Sequence, residues 1–213
     1  MIQHSDLSIP VYERLKEMIL NNELAPGEKL LQEKLATQLG VSRTPLLKAL
    51  QMLEYDLLVE SIPRRGMFVK KITAKELIEI YDVREGIESV AVRLVIDNIT
   101  AEKIAKLQSI WQPFVNQTSI NTDKYQKADD KFHALLLEYS ENKILKKTYS
   151  NSLLQGRVMQ MGLMRPPQET LPEHLALTEA IKKGDYKKAD QEIKKNIRKS
   201  KVLIEQNLSR TGK

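Results

Sequence analysis

EKLATQLGVSRTPLLKALQMLE, residues 33–54, is the stretch on which the architecture turns. Its first half sets Leu35, Ala36 and Leu39 inward on a helix over about 32–39. Gly40 closes that helix, because glycine takes the left-handed conformation of a helix C-terminus without strain. The second half opens on Ser42, whose hydroxyl suits an N-cap, and carries Pro45 where a missing N–H is harmless. Leu46, Leu50 and Leu53 then mark one apolar face of a helix over about 43–55. Only Gly40-Val41-Ser42 separates the two helices, and so short a turn containing glycine is that of a helix-turn-helix.

Upstream, Val11, Leu15, Met18 and Ile19 recur at i, i+4, i+7 and i+8, which predicts an amphipathic helix from Pro10 to about Asn22. Pro26-Gly27 predicts a tight turn. Downstream the period changes: Leu58 to Ile62 and Met67-Phe68-Val69 flank Pro63-Arg64-Arg65-Gly66, the pattern of a small β-hairpin with a doubly basic tip. From Thr73 onward β signals vanish. Thr73-Ala74-Lys75-Glu76 fits a capping box, and Leu77, Ile80, Tyr81, Ile87, Val90, Ala91 and Leu94 line one side of a long helix. Further helices are predicted at about 101–118, 122–139, 142–162, 171–183 and 185–208, broken at Asn121, Asn142, Gly162, Pro166-Pro167 and Gly184. The fold class is therefore mainly α: a winged helix-turn-helix over residues 1–71 and an all-α bundle of about six helices over residues 72–213.

Composition narrows the function. The absence of cysteine removes disulfides, thiolate zinc sites and cysteine nucleophiles together. It leaves His4, His133 and His174 with the carboxylates as the metal ligands on offer. No 18-residue apolar run exists, and the best candidate, Val90 to Ile96, is broken by Arg93, so no membrane span is expected. The N-terminus shows no secretory pattern, which predicts a cytoplasmic chain. The net charge is +6, yet residues 1–71 hold 10 basic against 9 acidic side chains. Binding to a polyanion must therefore be argued from geometry rather than bulk charge.

That geometry lies in Lys34, Ser42, Arg43, Thr44 and Lys48, with Arg64-Arg65-Gly66 at the hairpin tip. The start of the second helix of a helix-turn-helix enters the major groove, where arginine pairs bidentately with guanine. Hydroxyls and N–H groups at the same terminus suit phosphate oxygens. The blander reading makes Ser42 a cap and the cations a solvated surface. A second constellation is Asp129 and His133, one turn apart on a helix, with His174 from another helix. Three such groups can hold a metal, or Asp129 and His133 can simply pair. The lysine-rich end keeps Ile193, Ile197 and Ile204 on one face and reads as a solvated helix.

PVYERLKEMILNNELAPGEKL, the stretch quoted first, and PRRGMFV together resemble the DNA-binding domain of the GntR superfamily of bacterial transcription regulators, in unbroken order from Pro10 to Lys70. That resemblance implies DNA contacts at Lys34, Arg43 and Arg64 to Gly66. One departure stands out. Leu47 occupies the place of a DNA-contacting arginine and Lys48 that of an acidic residue, so the operator does not transfer from the family. Residues 75–209 are similar to the FCD ligand-sensing domain: Tyr81 to Glu88, Asp129-x-x-Phe132-His133, Glu173-His174 and Ile181-x-x-Gly184-Asp185 arrive in family order. The resemblance implies a divalent metal (zinc, nickel or manganese) on Asp129, His133, His174 and a fourth position that here is Asn196. Asparagine is a poorer ligand than imidazole for zinc or nickel, which leaves a weakened, altered or lost site as alternatives. Arg84 matches a family position facing the effector carboxylate, against an internal pair with Glu88; Arg157, among Met159, Met161 and Met164, is a second cavity candidate. The expected protein is a homodimeric repressor that binds a palindromic operator and senses a small organic acid. The competing expectation is a metal-dependent hydrolase using Asp129, His133 and His174.

Overall fold

The computed structural model describes residues 7–151 and 165–211. The chain divides into two compact units, Met1–Ile72 and Thr73–Lys213.

In the first unit, α1 (Ser8–Leu20) packs on α3 (Arg43–Tyr55), and α2 (Gln32–Leu39) joins them. Leu15, Ile19, Leu46, Leu50, Leu53 and Leu58 are fully buried in the middle, each contributing about 1.5–3 kcal/mol of apolar burial. α1 starts two residues earlier than its Pro10 suggests, because proline fits anywhere in a first turn whose N–H groups have no intrahelical partner. Of the residues expected inward on α2, Leu35 is buried while Ala36 and Leu39 are half-buried. Gly40 closes α2 at φ +64°, as its position predicts.

The wing is β1 (Val59–Ile62) paired antiparallel with β2 (Gly66–Val69), in a register that runs from Val59 opposite Val69 to Ile62 opposite Gly66. Its turn holds Arg64 at φ +63° and Gly66 at φ +102°. Space alone would admit a side chain at Gly66; its φ is what demands glycine. The outer edge of β2 is taken by the segment ahead of α2. Leu30 N–H donates to the Met67 carbonyl at 2.9 Å and Val69 N–H to that of Glu28 at 2.9 Å. These bonds lock the wing to the chain that leads into the helix-turn-helix.

The second unit holds α4 (Ala74–Asn98), α5 (Ala101–Trp111), a 3-10 turn at Gln112–Phe114, α6 (Thr122–Tyr139), α7 (Lys143–Asn151), α8 (Pro167–Lys182) and α9 (Tyr186–Thr211). The capping box is formed: Glu76 N–H donates to Thr73 Oγ1 at 3.1 Å and Thr73 N–H to Glu76 Oε2 at 2.9 Å. α4 and α9 run antiparallel, since their cross-links pair rising numbers with falling ones: Asp82 with Lys201, Glu85 with Arg198, Ser89 with Asp190 and Asp97 with Tyr186. Ile193, Ile197 and Ile204 are buried beneath them. Among the described residues no helix is long and apolar enough to cross a membrane.

Three expectations need correction. The helix predicted over 101–118 stops at Trp111, because Pro113 lacks the N–H that an α-helix would need and the chain tightens into the 3-10 turn. α8 begins at Pro167 rather than 171, with proline at its first position and Pro172 tolerated within. On α4, Ile80, Ile87, Val90 and Leu94 are only half-buried, whereas Arg84, Glu88, Val92 and Val95 are buried. α4 is contacted by α6, α7, α8 and α9 at once, so its burial does not follow one stripe. The remainder of the helix expected over 142–162, with Gly162 and the three methionines, lies outside the described residues.

Candidate DNA interface and metal centre

The N-terminus of α3 is built unlike an ordinary helix start. Ser42 takes the extended N-cap conformation, but its hydroxyl makes no cap bond, so the capping reading of Ser42 is corrected. No acidic residue lies in the first turn, where a helix dipole favours one. Instead the first position is Arg43, exposed with Ser42 and Thr44. A cation at the positive end of a helix is electrostatically unfavourable by itself and becomes favourable beside an external anion. Lys34, Lys48, Arg64, Arg65 and Gly66 are exposed too, and Leu47 is half-buried. Among the described residues Lys34, Arg43 and Arg64 have no carboxylate partner, whereas Arg65 lies over the Phe68 ring at 5.5 Å. Three unneutralised cations on an exposed helix-turn-helix and its wing suit a phosphate backbone.

In the helical unit α6 presents Tyr125, Asp129 and His133 at successive intervals of four, and α8 presents Thr170 and His174 at the same interval. The ligand atoms of Asp129, His133 and His174 all lie within 4.8 Å of one another. His174 Nε2 stands 3.2 Å from one carboxylate oxygen of Asp129 and His133 Nε2 3.8 Å from the other. Both Nε2 atoms are buried without a hydrogen-bond partner among the described residues. Two orphaned imidazole nitrogens turned towards one carboxylate cost desolvation with nothing in return, unless something that accepts lone pairs sits between them.

The surrounding groups fix these ligands. His133 Nδ1 faces Glu88 Oε2 at 2.5 Å, and Glu88 also accepts from Arg84 Nε. Burial by itself would raise the Glu88 carboxyl; the Arg84 guanidinium and His133 outweigh it and hold it well below the usual carboxylate range. An ionised Glu88 can only accept, so the His133 proton sits on Nδ1 and Nε2 keeps its lone pair. His174 stacks on Trp111 with ring centroids 4.4 Å apart and planes 5° from parallel. Burial pulls its pKa down to about 4, against the opposing charge of Asp129, which keeps the ring neutral and able to ligate. The neighbouring Asp130 is pushed up to about 6 by burial and then by Asp129. The carboxyl groups of Glu88, Asp129 and Asp130 outnumber the one guanidinium of Arg84, a donor set suited to a cation. The residues present fit a divalent ion.

The other predicted positions fall as follows. Arg84 is buried and paired with Glu88, so the internal ion pair that competed with its effector role is formed. Asn196 is buried, its Nδ2 donating to Glu173 Oε2 at 3.0 Å. Arg157 lies outside the described residues. Sequence reasoning missed Glu173, which grips Arg165 through both oxygens (2.8 and 3.0 Å) and takes Lys199 at 2.6 Å. Its signal was the retained carboxylate beside His174, but its cationic partners come from distant sequence. Glu173→Ala strips the buried Arg165 of its two-oxygen grip and leaves it, among the described residues, only the exposed Glu169 as a carboxylate partner, at 3.3 Å. Urea denaturation is expected to show a loss of about 3–5 kcal/mol, and a loss under about 1 kcal/mol contradicts this role.

Two family models match the chain: bacterial regulatory proteins of the gntR family over residues 7–69, and the FCD domain over residues 79–199. The chain belongs to the GntR family of transcriptional regulators, in its FCD branch. The regulator is 32% identical to the HTH-type transcriptional regulator YdhC of Bacillus subtilis over 187 residues, 85% of this chain and 84% of that one. It is 24% identical to the HTH-type transcriptional repressor RspR of Escherichia coli over 200 residues, 92% of this chain and 88% of that one. In fold it is similar to E. coli McbR/YncC, with TM-score 0.72 at 23% identity over 97% of this chain and 99% of that one. A GntR regulator from Rhodococcus sp. RHA1 gives TM-score 0.73 at 22% identity over 92% and 96%. The family and these named relatives are transcriptional regulators and not enzymes, so the hydrolase alternative is set aside.

Proposed function

We propose that the regulator is a cytoplasmic homodimeric repressor that binds a palindromic operator and releases it when the helical domain takes up a small organic acid at a divalent metal. Arg43 reads a base edge in the major groove, with Lys48 one position on from the family's second arginine. Ser42, Thr44 and Lys34 hold phosphates, and Arg64 and Arg65 with Gly66 follow the neighbouring backbone or minor groove. Two-fold symmetry doubles a readout that one small module cannot make specific.

Asp129, His133 and His174 would hold the metal, with Asn196 as the fourth position, and a metal there supplies a Lewis-acidic anchor for a carboxylate. Zinc, nickel and manganese are the candidates. Arg84 lies beside it: Nε is committed to Glu88, and the planar fork has further donors for a carboxylate. Arg157 is the second proposed effector contact.

The observation that carries this reading is the pair of buried Nε2 atoms that face one carboxylate and have no hydrogen-bond partner among the described residues, in a chain whose recognition helix starts with exposed Arg43. Native mass spectrometry with elemental analysis of the purified protein tests it. The expected result is a dimer mass with one first-row divalent metal per chain and a small acid released on denaturation. A metal-free monomer that stays so after incubation with zinc, nickel and manganese contradicts it.

A further inference from the structure

The two histidines of the metal centre are held differently. His133 Nδ1 faces a carboxylate, which can only accept, so the neutral ring carries its proton on Nδ1 and leaves Nε2 bare. His174 Nδ1 faces a hydroxyl, Tyr125 Oη at 3.1 Å, which can donate or accept. Tyr125 Oη in turn stands 2.9 Å from Thr170 Oγ1, and Thr170 Oγ1 stands 3.5 Å from the Pro166 carbonyl at the start of α8. His174 and Tyr125 are fully buried and Thr170 is 6% exposed, so the chain of groups is screened from solvent. The imidazole is clamped flat on Trp111. Its plane is set by packing, and the position of its single proton is what remains to be chosen.

Only two arrangements satisfy all three groups. In one, Thr170 donates to Tyr125 and Tyr125 donates to His174 Nδ1; the ring proton is then on Nε2, facing Asp129 Oδ1 at 3.2 Å. In the other, every bond is reversed: His174 Nδ1–H donates to Tyr125, Tyr125 donates to Thr170, and Thr170 donates to the Pro166 carbonyl. Only the second leaves a lone pair on Nε2. Without a metal the first is favoured, because it turns an N–H rather than a lone pair towards the Asp129 carboxylate.

We infer that Thr170 and Tyr125 form a reversible hydrogen-bond relay which sets the tautomer of His174, so that metal uptake at Nε2 requires the relay to turn over and engage the N-terminus of α8. The inference rests on the metal reading of Asp129, His133 and His174. The proton bookkeeping closes: His174 loses one proton from Nε2, and Tyr125 passes its proton to Nδ1 and is refilled by Thr170. Thr170, the slightly exposed member, takes one from water, so both hydroxyls end with one proton and the ring stays neutral. Tyr125 and Thr170 are thus positioning residues that act on the metal through His174. The centre has one fixed imidazole and one conditional imidazole.

The test is a zinc titration of the full-length protein, read by the emission of Trp111, the sequence's one tryptophan, and by the 15N spectrum of the His174 ring. The two ring nitrogens are expected to exchange protonated and bare character when zinc binds. Tyr125→Phe keeps the ring that packs on Phe114 and Trp111 and is expected to weaken zinc binding by roughly 10- to 100-fold. Thr170→Val falls towards the lower end of that range, and Thr170→Ser, which restores the hydroxyl, returns to wild type. That serine–valine contrast holds whatever Tyr125→Phe does to folding. If wild type binds zinc, His174→Ala does not, and both hydroxyl-deleted variants bind like wild type, the relay is overturned and the metal centre stands. An unchanged His174 tautomer on zinc binding overturns it equally. Wild type that takes up no more zinc, nickel or manganese than His174→Ala overturns both.

Discussion

Arg43→Ala is expected to remove sequence-specific DNA binding while leaving the fold unchanged. The side chain is exposed at the first position of α3 and has no carboxylate partner among the described residues. Its deletion therefore costs the folded protein little and even relieves a cation at the positive end of a helix. A bidentate arginine–guanine pair contributes about 1–3 kcal/mol of discrimination. Each half-site should then lose roughly 10- to 100-fold, and a symmetric dimer loses it twice. Fluorescence anisotropy on a duplex selected by the wild-type protein, with excess random competitor, reads the effect. Lys34→Ala provides the contrast: a phosphate contact weakens all duplexes alike and lowers the salt slope by about 1. Wild-type discrimination in Arg43→Ala would remove α3 from the readout.

The second large effect falls on the helical domain. His174→Ala is expected to take the metal content from one ion per chain to near zero, because it deletes one of three convergent ligands whose Nε2 has no other hydrogen-bond partner. Elemental analysis after dialysis against buffered zinc measures the loss directly. Thermal unfolding gives an independent check. An ion that binds only the folded state stabilises wild type by about 4 kcal/mol at a thousand-fold excess over its dissociation constant. That rise in Tm should be reversed by a chelator and absent in His174→Ala. A full complement of metal in the variant would move the centre elsewhere.

The legible parts of this molecule are those governed by local rules. Gly40, the leucines of α3 and the alternating run around Pro63 to Gly66 each report a backbone conformation or a face, and the structure adopts them. Asp129, His133 and His174 were legible because ligand chemistry narrows to few residue types and a spacing of four puts two of them on one face. What escaped depends on several partners at once. α4 buries Arg84 and Glu88 because the charges satisfy one another and His133 inside a helix contacted on many sides, and an apolar stripe does not anticipate that. Tyr125 and Thr170 matter only because α6 and α8 meet, although each lies four residues before a ligand. Ser42 looked like a cap by residue type alone; whether its hydroxyl closes onto the helix depends on a rotamer that sequence does not specify.

The central claim is that this chain reads DNA as a symmetric pair through α3. Selection from a pool of random duplexes by the full-length protein, followed by sequencing, tests it most directly. The account predicts enrichment of an inverted repeat whose half-sites lie about one helical turn apart, and loss of that enrichment with Arg43→Ala. A pool that stays random, or an enriched sequence without two-fold symmetry that Arg43→Ala selects equally well, would contradict it.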